Sequence, residues 1–128
     1  MSDITPAVRR PTVTAIEGGV TAPGGFRSAA VHCGIKKKPG ALDLAVIEAE
    51  TVASVSALFT TNLVKAAPVL LSTRHLAATR GVCRAIVVNS GCANACTGDD
   101  GLANAAAMAS VVAADLGCAP DQVLVAST

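Results

Sequence analysis

Ala85-Ile86-Val87-Val88-Asn89-Ser90-Gly91-Cys92-Ala93-Asn94-Ala95-Cys96-Thr97-Gly98 is the stretch around which the chain is organised. It opens with an apolar run rich in β-branched residues, which predicts a buried strand. It then breaks into Asn89, Ser90, Gly91, Asn94, Thr97 and Gly98, small residues suited to a tight, hydrogen-bonded loop. After Asp99-Asp100-Gly101 comes an Ala-rich run that predicts a helix. Strand end, small-residue loop and helix start together form a common setting for ligand-facing backbone.

Outward from this unit the chain reads in order. Val13 to Glu17 is expected to form a short first strand, and glycines and Pro23 then mark a loop. Phe26 to Ile35 predicts a strand, and Lys36-Lys37-Lys38-Pro39-Gly40 a solvated hairpin tip. Leu42 to Glu48 and Val52 to Phe59 read as two further strands, the set forming an antiparallel meander. Phe59 to Val69 reads as a structured connection made rigid by Pro68, and Ser72 as the cap of a short helix running to Arg80. Leu102, Ala105, Ala109, Val112 and Leu116 recur at three- and four-residue steps, one face of an amphipathic helix that Gly117 stops. Gln122 to Thr128 predicts a last strand. The fold class is α/β, layered, with a mostly antiparallel sheet.

Composition narrows the function classes. The 128 residues are 52% hydrophobic and 2% aromatic, with a net charge of +1, so the core is built from small aliphatic side chains that bury little area each. Near-neutral charge argues against nucleic acid or an anionic membrane surface as partner. No apolar run is long enough for a membrane helix. Arg9 and Arg10 are followed by no apolar segment, so the N-terminus reads as a loose leader rather than a signal peptide. The abrupt end of an apolar strand at Ser127-Thr128 suggests a piece of a longer protein, cut where a strand enters a functional loop.

Few side chains suggest chemistry directly. Cys33, Cys83, Cys92, Cys96 and Cys118 lack a zinc-site spacing, so no metal is expected and buried free thiols in a cytosolic protein are the simpler reading. His32 reads as structural, His75 and Lys65 as surface residues, and Asp99 and Asp100 as partners of a helix dipole. Gly91 to Gly98 lacks the Lys-Ser or Lys-Thr of a phosphate loop and the dinucleotide spacing. It can still hold an oxyanion, or simply pack.

Two long motifs resolve these alternatives. Phe59-Thr60-Thr61-Asn62-Leu63-Val64-Lys65-Ala66-Ala67-Pro68-Val69 and Val87 through Gly98 strongly resemble segments of the bifunctional glutamate N-acetyltransferases, also called ornithine acetyltransferases. Gly19 through Phe26 and Gly34-Ile35-Lys36 are similar to that family's start. Cys92 departs from the pattern, standing where the family most often has Asn. The resemblance implies a layered sandwich like that of N-terminal-nucleophile enzymes. It divides the chain into a leader, residues 1–17, and the N-terminal part of the family's α chain, residues 18–128.

The implied chemistry is acetyl transfer from N2-acetylornithine to glutamate in arginine biosynthesis, in the cytoplasm. The acetyl group passes through a threonine freed by autocatalytic cleavage, and that nucleophile lies beyond this chain. No cofactor is implied, with acetyl-CoA left open as a further acetyl donor. The implied partner is the second, self-cleaved chain, in a heterotetramer of two of each. Val125-Ala126-Ser127-Thr128 looks like the approach to the family's Thr-Gly oxyanion pair. That makes Thr128 the expected oxyanion donor, with Asn89, Ser90, Gly91, Asn94, Thr97 and Gly98 as the loop beside it. The other readings are a non-catalytic structural or small-ligand module and, more weakly, a phosphate binder using the Gly91–Gly98 loop.

Overall fold

The Val-Ile run predicted as a strand is the third strand of a four-stranded sheet, β3 (Val82–Asn89), with Cys83, Ala85, Val87 and Asn89 buried on alternate positions. The computed structural model describes residues 12–128; residues 1–11, most of the expected leader, lie outside the described residues. Val13 to Glu17, expected as a strand, are exposed and form none. Glycines and Pro23 leave that segment too short to reach a partner strand.

The sheet order is β1 (Phe26–Val31), β2 (Leu44–Ser54), β3, then β4 (Val123–Ser127). The first three strands are antiparallel neighbours, but a helix at Ala67–Thr79 lies between β2 and β3 in the chain, so of the expected meander only the β1–β2 hairpin forms. β4 is parallel to β3, with Asn89 opposite Ser127. The sheet is therefore mixed but mostly antiparallel, as expected.

Two strand boundaries differ from the sequence reading. β1 ends at Val31 rather than Ile35, because the backbone amides of Cys33 and Lys36 turn to the Asp43 carboxylate instead of a neighbouring strand. Leu42 to Glu48 and Val52 to Phe59, read as two strands, meet in the single strand β2, which spans only Leu44–Ser54 and leaves residues 55–59 outside any strand. Its pairing with β3 shifts register between Glu48 and Ala53. Ala49-Glu50-Thr51 contains no glycine or proline to reverse the chain, so the strand bulges and continues.

Two helices cover one face. α1 (Ala67–Thr79) begins five residues before Ser72, because Pro68 in its first turn fixes the backbone for a helix. Ser72 is therefore not a cap but a buried residue inside α1. Its Oγ donates to Val125 O and accepts from Val125 N–H, each at 3.0 Å. His75, expected at the surface, is half-buried, with Nδ1 2.8 Å from Val123 O. Between them these two side chains occupy the outer hydrogen-bonding edge of β4, beyond which no strand lies among the described residues.

α2 (Gly98–Leu116) ends at Gly117, whose φ of +64° is the left-handed cap the glycine was expected to supply. The centre of its packed face is Gly101, Ala105, Ala109 and Ala113, with Leu102, Val112 and Leu116 flanking it half-buried. This four-residue stripe of small residues lets α2 approach α1 and β4 closely. The core joins it to Ala67 and Leu71 of α1, Ala85 and Val87 of β3, and Val123 and Val125 of β4. Val87 and Val123, almost fully buried, contribute about 1.5–3 kcal/mol each by that burial. A 3-10 turn, Pro120–Gln122, leads into β4. On the other face Ile47, Ile86 and Val88 are half-buried and Phe26 is exposed.

Candidate functional site

β3 and β4 run parallel and end side by side at Asn89 and Ser127. In such a pair the backbone beyond both carboxyl ends diverges, leaving groups free to face a ligand. Here the two ends are tied together. Thr128 N–H donates to Asn89 O at 3.0 Å, and Gly91 N–H donates to Thr128 O at 2.6 Å. The Asn89 side chain, buried, accepts from Ser127 Oγ and donates through Nδ2 to Cys92 O at 3.0 Å. The main chain of Thr128 is thus held on both sides while the residue itself is exposed at the end of the sheet.

The second half of the loop belongs to the helix. Asn94 Nδ2 donates to Gly101 O at 2.7 Å, and Thr97 Oγ1 donates to Asn94 Oδ1. Gly101 is buried under them: a Cβ there would lie 2.5 Å from Thr97 Cβ, and closer still to Thr97 Oγ1 and Asn94 Oδ1. Of the expected loop residues, Asn89, Ser90 and Gly91 are therefore brought to Thr128. Asn94, Thr97 and Gly98 organise the start of α2. Asp99 and Asp100 occupy that helix's first turn, where their charge favours the dipole. Lys65 is exposed, beside Arg74 and Asp99, in a cleft between the starts of the two helices.

Sequence reasoning missed Asp43. It lies in the stretch from Leu42 to Glu48, expected as a strand, with no role assigned to it, yet its side chain is fully buried. Oδ1 accepts from Cys33 N–H at 2.7 Å and Oδ2 from Lys36 N–H at 2.9 Å, with His32 Nδ1 3.1 Å from Oδ2. The Cys33 amide above all, then the Lys36 amide, holds the carboxyl well below the usual carboxylate range, against the opposing effect of desolvation. His32 keeps the structural role expected of it, its ring also lying 2.9 Å from Ala41 O. The main chain of Asp43 reaches the site as well, because Ser90 N–H donates to Asp43 O at 2.8 Å. The available signal was an acid flanked by leucines at the start of an apolar strand, where no solvated position exists for it.

The thiols divide by place. Cys83 is buried, and desolvation pushes its pKa up. Cys33, Cys92 and Cys96, expected buried, are instead exposed because they sit in loops outside the packed layers, the Cys33 thiol being raised first by its hydrogen bond to Asp43.

Residues 27–128 match the ArgJ family. The chain is similar to the arginine biosynthesis bifunctional protein ArgJ of Geobacter sulfurreducens, 55% identical over 104 residues, which are 81% of this chain and 26% of that protein. The chloroplastic ArgJ of Zea mays is 42% identical over 113 residues, 88% of this chain and 24% of its own. Among solved structures, the ArgJ protein of Bacillus halodurans superposes with a TM-score of 0.80 at 39% identity, covering 86% of this chain and 56% of that one. The ornithine acetyltransferase of Mycobacterium tuberculosis, solved with ornithine, superposes with a TM-score of 0.78 at 47% identity, covering 86% and 59%. The chain spans about a quarter of the length of the curated relatives it matches.

Proposed function

The chain belongs to the ArgJ family, and from that membership we propose that it forms the N-terminal part of an acetyltransferase acting in arginine biosynthesis. In this reading the enzyme moves an acetyl group from N2-acetylornithine to glutamate through an acetyl-threonine intermediate. The nucleophilic threonine is supplied by sequence beyond Thr128. One observation carries the reading: Val87–Gly98, at the end of β3, and Val125–Thr128, at the end of β4, both stretches of the resemblance, lie side by side inside the region matched to the family. The non-catalytic module gains no support from relatives that are named as bifunctional biosynthetic proteins.

The role proposed for this chain is oxyanion stabilisation. When the nucleophile attacks the acetyl carbonyl, negative charge gathers on its oxygen, and a donor already in place favours the transition state over the ground state. Thr128 would supply its hydroxyl, together with the N–H of a following glycine. Supporting this is the way its main chain is clamped between Asn89 and Gly91, which removes the reorganisation that a mobile donor would require. Asn89, Ser90 and Gly91 are assigned to the clamp, and Asn94, Thr97 and Gly98 to holding the loop's far side. The proposal extends to autocatalytic cleavage, a heterotetramer of the two resulting chains, a cytoplasmic location, no bound cofactor, and acetyl-CoA as a second donor.

The test is ornithine release from N2-acetylornithine in the presence of glutamate, using the full-length protein. Wild type should turn over, and Thr128→Ala should lower kcat about 100- to 1000-fold, the loss found when one oxyanion donor is removed. Absence of transfer by the wild type would refute the function. Wild-type turnover by the variant would refute only the role of Thr128.

A further inference from the structure

We propose that Asp43 is a positioning residue for acetyl transfer, fixing Thr128 through the Ser90–Gly91 turn and the loop at residues 33–36; this rests on the oxyanion role of Thr128.

Asp43 joins three segments that are distant in the chain. Its N–H donates to Val31 O at 3.0 Å, tying it to the end of β1. Its carboxylate gathers the amides of Cys33 and Lys36, which gives the following loop its shape. Its carbonyl receives Ser90 N–H at 2.8 Å, the first residue after β3. The shaped loop then presses on the site. Gly91 has a φ of +106°, and a Cβ there would lie 2.8 Å from Lys36 Cγ, so the stem of Lys36 lies directly across the Gly91 backbone. Lys36 is itself pinned by Nζ donating to Leu42 O at 3.1 Å. Gly91 N–H in turn holds Thr128 O at 2.6 Å.

The Asp43 carboxylate stabilises this junction only because the two amides it accepts outweigh the cost of its burial. Removing an ion from water is expensive, and apolar residues of similar volume often serve a core as well or better. What the carboxylate provides is direction: two acceptor oxygens that fix two amides at set positions. Here those amides belong to the loop that contacts Gly91. A loosened loop would leave Ser90–Gly91 free to shift, and Thr128 with them.

A double-mutant cycle on the full-length protein tests this, with Asp43→Asn, Thr128→Ala and both together, assayed for acetyl transfer from N2-acetylornithine to glutamate. Asparagine keeps the shape but presents an NH2 group to one of the two amides. Asp43→Asn should lower kcat about 10-fold or more, with KM changed less than about 3-fold. In the Thr128→Ala background the same substitution should lower kcat by a clearly smaller factor, because the hydroxyl it positions is gone and only the main-chain donor remains to be held. Equal losses in the two backgrounds, or an unchanged kcat for Asp43→Asn alone, would overturn the inference while leaving the Thr128 reading intact. Wild-type turnover by Thr128→Ala would instead remove the reading on which it rests. Lys36→Ala, which keeps the buried carboxylate, carries the same cycle if Asp43→Asn does not fold. It should lose about 3-fold or more in kcat, again by a smaller factor in the Thr128→Ala background, and an unchanged kcat or an equal loss without Thr128 would overturn the inference.

Discussion

Gly101→Ala should destabilise this protein, although helix propensity alone gives the opposite sign. In a helix interior the exchange of glycine for alanine ordinarily gains about 0.5–1 kcal/mol. At position 101 the added methyl would meet Thr97 Cβ at 2.5 Å, with Thr97 Oγ1 and Asn94 Oδ1 closer still. Ordinary contact begins near 3.4 Å. The loop must therefore move away from the helix by more than rotamer adjustment can supply. Two hydrogen bonds depend on its present position, Asn94 Nδ2 to Gly101 O and Thr97 Oγ1 to Asn94 Oδ1. At about 0.5–1.5 kcal/mol each, their loss removes about 1–3 kcal/mol. Overpacking adds about 1 kcal/mol or more, which roughly offsets the propensity gain. The expected net is a loss of about 1–3 kcal/mol, read by equilibrium urea unfolding followed by circular dichroism. Clearing the obstruction with Asn94→Ala and Thr97→Gly should restore the ordinary sign, so that Gly101→Ala stabilises that background. A variant at least as stable as wild type in the unmodified background would refute the close approach of loop and helix.

Two further outcomes follow from buried groups. Ser72→Ala strands Val125 N–H and Val125 O at the edge of β4, and two unsatisfied buried groups at about 1–3 kcal/mol each predict a loss of about 2–4 kcal/mol after partial relaxation; undiminished hydrogen-exchange protection of the Val125 amide would contradict it. Asp43 has a folded pKa depressed below its ordinary 3.8, so the folded state holds fewer protons there than the unfolded state. Its stabilisation is complete above that ordinary value and is lost as pH falls below it. Asp43→Asn should therefore flatten the decline in stability below about pH 4, and an unaltered acid limb would show that the carboxylate is not held by its amides.

Local chemistry was legible in the sequence wherever it acts over a few residues. Ile86-Val87-Val88 marked β3, Gly117 the end of α2, and the four-residue recurrence of apolar residues the packed helix. The antiparallel pairing of β1 and β2 followed from their short connection. The two motifs that carry the family resemblance also lie within single stretches, which is why they could be read before any contact was known. The loop at residues 89–98 was correctly marked as organised by its asparagines, although Asn94 grips Gly101 rather than the turns before Gly98.

Other features were decided by tertiary structure, because their partners are far apart in sequence. Ser72 looked like a cap by its residue type; only the arrival of β4, 53 residues later, makes it a buried partner of Val125. His75 looked exposed until Val123, 48 residues on, came within reach of its ring. β2 looked like two strands because a bulge interrupts alternation as a turn does, and the continuous partner β3 keeps it one. Asp43 had no role of its own within an expected strand, yet the folding back of residues 33–36 encloses it and supplies its amides. Residue type and spacing set which backbone conformations are cheap, whereas burial and hydrogen-bond partners exist only once distant segments meet, and at Thr128 that meeting is what places Asn89, Gly91 and Asp43 around one strand end.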